Sequence, residues 1–325
     1  MPAEGLRSKR DERGQALVIP VLFLVVLLGM AAATIDVGSW YRTHRQAQAA
    51  ADAAALAAAQ ELPANTTTAA MSRALEYASK NGGGLTAADI TFSASLNPGR
   101  FDTVSVKVRR PAPIFFSRVF GVSSVTAVGR STARSEPVSS VAGVAPITVH
   151  YKHPLLNCTQ GSKTPKCDPT FGVTTTLTLS DLHSPGGGSG SGAFGLINLN
   201  QSDSTGTASA KDLADWLMNG YNGYLDLGTY FSAPGADFNN SNFQAALDSV
   251  IGKEVLFPVY RLLNGPGSNA KYDIVGWVGF VITSYNTGGS SGTLTGYFSR
   301  WVADGVQQDT PGGTDTGVVK VELTG

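Results

Sequence analysis

Residues 14–62 read GQALVIPVLFLVVLLGMAAATIDVGSWYRTHRQAQAAADAAALAAAQEL, and this stretch sets the plan of the chain. Residues 14–35 contain no Asp, Glu, Lys or Arg, and residues 16–35 are almost wholly apolar. Twenty residues of α-helix at 1.5 Å each cover ~30 Å, the thickness of a bilayer's hydrocarbon core. A signal-peptide core is shorter and ends at a small-residue cleavage site. Ala31-Ala32-Ala33 offers such a site, but the helical pattern runs on past it without a break. A membrane-spanning helix is therefore expected. Arg7, Lys9, Arg10 and Arg13 precede the span, and Arg42 and Arg45 are the nearest basic residues after it. This bias places residues 1–13 in the cytoplasm and everything beyond the span outside. Pro20 is tolerable inside such a helix.

Beyond the span, Trp40 and Tyr41 stand where an interfacial aromatic belt would lie. Ten of the thirteen residues from 47 to 59 are alanine, the best helix former, and Pro63 ends the run. One helix over residues 15–62 would be ~70 Å long, half in lipid and half in water. An alanine face permits close backbone approach either to the chain's own globular part or to neighbouring subunits in a bundle. The first is the expectation.

The combination of marks in this stretch resembles the N-terminal module of TadE/TadG-like Flp pilus-assembly proteins. They are the Arg13-Gly14 entry, Pro20 early in the span, the exit through Asp36 and Gly38, and the tract with Gln48, Asp52 and Leu56. The resemblance extends to VKVRRPAPIFFSRVFGVSSVTAVGRSTA, residues 106–133, and so covers about residues 10–135. It implies a pilin-like long helix followed by a small antiparallel sheet. It also implies pilus-assembly or pseudopilin proteins, besides the bilayer, as partners. One departure matters: pseudopilins of this kind carry Glu five residues after the cleavage-site Gly, and here that position is Ile19. Processing by a prepilin peptidase is therefore not expected, and the intact chain stays as an anchor.

The rest of the chain is read locally. Residues 68–80 have a helical period closed by Asn81-Gly82. Residues 89–96 and 101–110 are strands around the turn at residues 97–100. Val104, Val106 and Val108 alternate with Ser105, Lys107 and Arg109, so one face is buried and the other wet. A short apolar helix over residues 114–120 closes at Gly121, and residues 122–133 form another strand. Lys107, Arg109, Arg110, Arg118 and Arg130 are either a patch for lipid headgroups or an acidic partner, or merely the solvated face of the sheet. Residues 135–140, SEPVSS, read as a linker. The charge balance changes sign there: residues 1–137 hold 15 Lys/Arg against 10 Asp/Glu, and residues 138–325 hold 9 against 14.

In the second half, residues 146–152, 172–179, 255–262, 272–285, 293–302 and 317–323 are strand candidates. Helices are expected over residues 211–218 and 241–251, the second with a Ser241–Gln244 capping box and Phe243, Leu247, Val250 and Ile251 turned inward. The glycine run at residues 185–192 lacks the setting of a phosphate loop. The expected division is a tail, 1–13; span and stem, 14–62; a pilin-like α+β module, 63–137; and a mostly-β α+β domain, 138–325. This last region also resembles the C-terminal part appended to some TadE/TadG-like proteins. The overall class is α+β.

No enzyme is expected. Cys158 and Cys167, the only cysteines, are expected to form a disulfide in an exported loop, with a Cys/His metal site using His150 and His153 as the rival. His150, His153 and His183 are expected to be exposed, and no Gly-x-Ser-x-Gly elbow accompanies them. Asp212, Asp215, Asp226, Asp237 and Asp248 lack metal-loop spacing, and a von Willebrand-type Asp-x-Ser-x-Ser is absent. No cofactor, nucleic acid or small-molecule substrate is expected; zero net charge argues against a nucleic-acid partner. The leading functional expectation is Flp-type pilus assembly or surface attachment. Its rival is a membrane-tethered binding module unrelated to pili, suggested by Trp216, Tyr221, Tyr224 and Tyr230 in an acidic second half.

Overall fold

A computed structural model describes residues 15–96, 99–159, 165–179, 193–200, 208–233, 235–265, 270–288, 292–303 and 314–324. Residues 1–14, including Arg13 and Gly14, lie outside the described residues, as do His183, the glycine run and Asn97-Pro98 of the first turn.

Helix α1, Gln15–Ala59, is a single 45-residue element passing through Pro20. At 1.5 Å per residue it is about 68 Å long. From Val18 to Ile35 no side chain is buried, and this part is long and apolar enough to cross a membrane. The Thr34 hydroxyl donates back to the Met30 carbonyl at 2.8 Å, which satisfies the hydroxyl within the helix.

α2, Thr68–Lys80, packs its alanine stripe (Ala70, Ala74, Ala78) on the stem half of α1. Strands β1 (Ile90–Ser93), β2 (Thr103–Ala112) and β3 (Val125–Pro137) follow, joined as antiparallel neighbours. Val104, Val106 and Val108 are buried, as their alternation requires. β2 continues through Pro111 to Ala112, two residues past the expected stop. Both Pro111 and Ala112 pair with β3, at Thr126 and Val125.

The expected linker is instead structured. Residues 135–137 belong to β3, and β4 (Ser140–Val141) follows at once. The reason is a partner far along the chain. β14, Val318–Leu323, returns to pair antiparallel with β3, Val319 opposite Pro137 and Leu323 opposite Ala133. β13, Trp301–Val302, adds to β14, so the first sheet runs β1-β2-β3-β14-β13.

Between lie β5 (Ile147–His150), β6 (Thr174–Leu179), β7 (Ala193–Leu196), α3 (Ala210–Asn219), β8 (Leu225–Asp226), β9 (Gly228–Phe231) and α4 (Ser241–Val250). They are followed by β10 (Glu254–Asn264), β11 (Lys271–Asn286) and β12 (Thr293–Ser299). The second sheet runs β10-β5-β7-β6-β12-β11-β9, and β10 also pairs with β11, closing six strands into a ring. A cluster including Phe194, Phe257, Phe280 and Phe298 joins these strands to Leu213 and Leu217 of α3 and Phe243 and Leu247 of α4. The mixed α+β architecture, a long apolar helix leading into a sheet module and a mostly-β remainder, matches the expectation.

Two local expectations are corrected. Asn240, not Ser241, caps α4: its backbone is extended (φ −71°, ψ 138°) and its side chain accepts from the Asn242 N–H, while Gln244 reaches back to Asn239. Ile251 lies beyond the last turn of α4 and is 43% exposed.

Candidate functional site: the stem and its clasps

The stem half of α1 is held to the first sheet by small residues and by two polar clasps. Ala47, Ala50, Ala51, Ala54, Ala55, Ala58 and Ala59 are fully buried against Val104, Val106, Val108 and Ala133. Methyl-sized side chains bring helix and sheet backbones close, and at one point even a methyl is too large. A Cβ on Gly129 would stand 2.4 Å from the Ala47 carbonyl carbon and 2.5 Å from the Gln48 nitrogen, both backbone atoms. The alanine tract thus packs on the chain's own module, as expected.

Gln48 is the first clasp. β3 has β2 on one side, but on the other side β14 reaches only from Pro137 to Ala133. At Arg130 that edge has no strand partner. The Gln48 side chain substitutes for one: Nε2 donates to the Arg130 carbonyl (2.7 Å), and Oε1 accepts from the Arg130 N–H (3.1 Å). Asp52, one turn on, orients the amide by accepting from Nε2 at 2.8 Å. Leu56, a further turn on, is half-buried against the same core.

Asp36 is the second clasp. Its side chain is fully buried although Ile35 and Val37 are exposed. Its carboxylate accepts from the N–H groups of Phe115 (2.9 Å), Phe116 (3.0 Å) and Ser117 (2.5 Å), and from the Ser117 hydroxyl. One turn along α1, Trp40 Nε1 donates to the Pro113 carbonyl at 3.0 Å. These bonds fasten the connection between β2 and β3 to the helix where its apolar half ends. A short 3₁₀ turn, Ser117–Phe120, occupies that connection and closes at Gly121, whose φ of +80° suits glycine. Of the remaining family-motif residues, Pro20 sits within the apolar half of α1. Among the described residues no contact requires a glycine at position 38, since none lies within 4 Å of where its Cβ would stand.

The five basic residues divide. Arg109 pairs with Asp89, just before β1, at 2.5 Å, and Arg110 donates to the carbonyls of Asn81 and Gly83 and so holds the turn after α2. Lys107 and Arg130 stand directly opposite each other across β2 and β3. They line an open groove of about 430 Å³ that also includes Asp89, Ser105 and Thr132. Arg118 is exposed on the 3₁₀ turn.

A junction invisible to local reading joins the two halves. Arg100 donates to Asp315 (2.7 Å), Asp168 (3.3 Å), the Cys167 carbonyl (2.6 Å) and the Pro63 carbonyl (2.8 Å). Arg300 donates to the Leu62 carbonyl at 2.8 Å. Burial pushes the Asp315 carboxyl up, and the Arg100 and Arg300 charges pull against that shift. Cys158 and Cys167 form a disulfide beside this junction.

The histidine expectation is corrected. His150 and His153 are buried, His150 at the end of β5 and His153 at the start of the 3₁₀ turn that follows, where it packs against Phe298. Burial lowers each to about 4. The His153 hydrogen bonds require the neutral ring: Nδ1 accepts from the Leu155 N–H (3.1 Å), leaving Nε2–H for the Thr175 hydroxyl (3.1 Å). Among the described residues, no three His, Cys, Asp or Glu side chains are grouped to hold a metal ion. Of the four aromatics noted in the sequence, Tyr230 is buried, Trp216 and Tyr221 pack edge to face, and Tyr224 is exposed.

Neither a curated protein nor a solved structure matches the chain. A family model does: residues 14–61 match that of "Putative Flp pilus-assembly TadE/G-like" proteins. This span is α1 almost end to end and includes both clasp residues, Asp36 and Gln48. Over this span the N-terminal helix is similar to the TadE/G-like Flp pilus-assembly module.

Proposed function

We propose that the protein is a membrane-anchored, non-enzymatic component of Flp-type (tight adherence) pilus assembly or surface attachment. In this reading α1 crosses the membrane once, residues 1–13 are cytoplasmic, and both folded modules face outward. Its partners are the bilayer and pilus-assembly or pseudopilin proteins. The observation that carries the reading is the TadE/G-like match over a helix divided in two. One half is apolar with no buried side chain, and the other is built into a folded module through the motif's own Asp36 and Gln48.

The test is an in-frame deletion complemented with C-terminally tagged full-length protein, followed by protease shaving of intact cells. Loss of sheared pili and of surface adherence on deletion, with a full-length membrane-bound chain whose tag is shaved, is the expected result. Unchanged piliation and adherence would refute the assembly role. A soluble chain, or one shortened at its N-terminus, would refute the anchor.

A further inference from the structure

The connection between β2 and β3 exposes Phe115 (58%), Phe116 (44%), Val119 (84%) and Phe120 (77%) within six residues. Elsewhere outside the apolar half of α1, apart from Val37 and Tyr41 one turn apart just beyond it, no two exposed large apolar side chains among the described residues fall within a stretch of six residues. A compact cluster of three phenylalanines and a valine marks a surface that something apolar covers.

We propose that this tip is a second membrane contact. It enters the interfacial layer of the bilayer crossed by α1, on the side of the folded modules. The proposal rests on the reading of α1 as a membrane span and adds to it a loop that inserts beside the helix.

Position is the first argument. The hairpin descends along α1 through four contacts in order: Ser135 to Leu62, Arg130 to Gln48, Pro113 to Trp40, and residues 115–117 to Asp36. From Gln48 to Asp36 that descent is about 18 Å along the helix axis. It stops at the first ionisable residue after the apolar run, with Trp40 and Tyr41 one turn above, at the level of an aromatic belt. The apolar tip therefore adjoins the exposed apolar surface of α1, and lipid that covers one meets the other.

Backbone chemistry is the second argument. A loop entering an interface poor in water must satisfy its own polar groups. The N–H groups of Phe115, Phe116 and Ser117 are bound by Asp36. Those of Val119, Gly121 and Val122 are bound by the carbonyls of Phe116, Arg118 and Ser117. Arg118, exposed within the apolar cluster, suits the phosphate layer, where its long stem stays apolar and its charge is wet.

The two cysteines are joined in the disulfide and no free cysteine remains, so a single introduced cysteine labels uniquely. Val119→Cys in the full chain would carry the polarity-sensitive fluorophore NBD in phosphatidylcholine vesicles, with and without nitroxide-labelled lipid. Leu28→Cys, in the apolar half of α1, and Ser93→Cys, at the far end of the sheet, are the comparison sites. The expected result is blue-shifted emission and strong lipid quenching at position 119, comparable to position 28, with neither at position 93. Quenching at 28 but not at 119 would overturn the tip insertion and leave the anchor standing. A blue shift at 119 that follows protein density without lipid quenching would overturn it in favour of a second copy covering the tip. Absence of quenching at 28 would refute the membrane span, and the tip proposal with it.

Discussion

Replacing Asp36 is the sharpest perturbation of the stem, because one carboxylate satisfies three backbone N–H groups and a hydroxyl. A hydrogen bond to a charged group is worth roughly 1.5–3 kcal/mol net. The four bonds share one anion and are not additive, so about two bonds' worth, ~3–6 kcal/mol, is the scale for Asp36→Ala. Asp36→Asn keeps one acceptor oxygen but turns an NH₂ toward N–H donors, so it recovers little.

The loss is local. It falls on the opening of residues 115–117 and leaves the valine core of β2 intact, since Val104, Val106 and Val108 are buried by Ala133 and the alanines of α1. Hydrogen exchange on the full chain in lipid nanodiscs separates the two. In Asp36→Ala, protection of the Phe115, Phe116 and Ser117 amides is expected to fall by about a hundredfold or more, since each 1.4 kcal/mol is tenfold. The β2 amides at Val104 and Val106 are expected to keep theirs. Wild-type protection at 115–117 in Asp36→Ala would refute the clasp. Equal loss across β2 would mean that Asp36 holds the whole module and not its tip.

Four further outcomes follow from the same geometry. Gly129→Ala places a methyl against the Ala47 and Gln48 backbone and is expected to cost about 1–3 kcal/mol by overpacking, with a fall in the unfolding midpoint; an unchanged midpoint would refute the close approach. Ala50→Leu is expected to destabilise the first module by a similar amount, and Ala49→Leu, at an exposed position of the same tract, to be nearly neutral in the same assay. Breaking the disulfide with Cys158→Ser is expected to remove about 2–3 kcal/mol of stability in the chain-entropy model, read as a lower denaturant midpoint that reductant no longer changes. His150 and His153 are held at about 4 in the fold against about 6.5 when unfolded, so the unfolded chain takes up protons first as pH falls. Their stabilisation is complete above about pH 6.5 and is lost progressively toward about pH 4; a denaturant midpoint flat across that window would contradict their burial as neutral rings.

What the sequence reveals here is what local chemistry dictates. The bounds of α2 follow from the apolar period of Met71, Ala74, Leu75 and Ala78 and an Asn-Gly stop, and the burial of Val104, Val106 and Val108 follows from alternation, because both signals are complete within a dozen residues. The linker reading of residues 135–140 failed for the opposite reason. Ser, Glu and Pro describe a loop until a partner appears, and the partner, β14, lies some 180 residues away. His150 and His153 sit in a polar-looking stretch, HYKHP, and only the pairing of β5 with β7 and β10 shows that the surrounding turn is buried. Arg100 reads as a turn residue, yet it meets Asp315 from 215 residues away. The motif residues were recognisable as a pattern, but not their task. An acid at the end of an apolar helix is costly unless something meets it, and that cost was the available hint to a partner for Asp36.

The buried alanines also constrain how such a stem can assemble with its neighbours. Seven of them are consumed by contacts within the chain, so the close-approach surface suggested by the sequence is already occupied. The side of the stem that remains outward carries Tyr41, Arg42, His44, Arg45, Gln46, Ala49 and Gln60, a mainly polar face that offers a second apolar helix little to bury. The apolar surface open to a second apolar helix is residues 18–35, where no side chain is buried. With α1 spanning the membrane as proposed, the driving force there would be packing among lipid-facing side chains, not removal of apolar surface from water. The helix is thus divided along its length: the alanine half packs into the core of the first module, and the apolar half buries no side chain against the described residues.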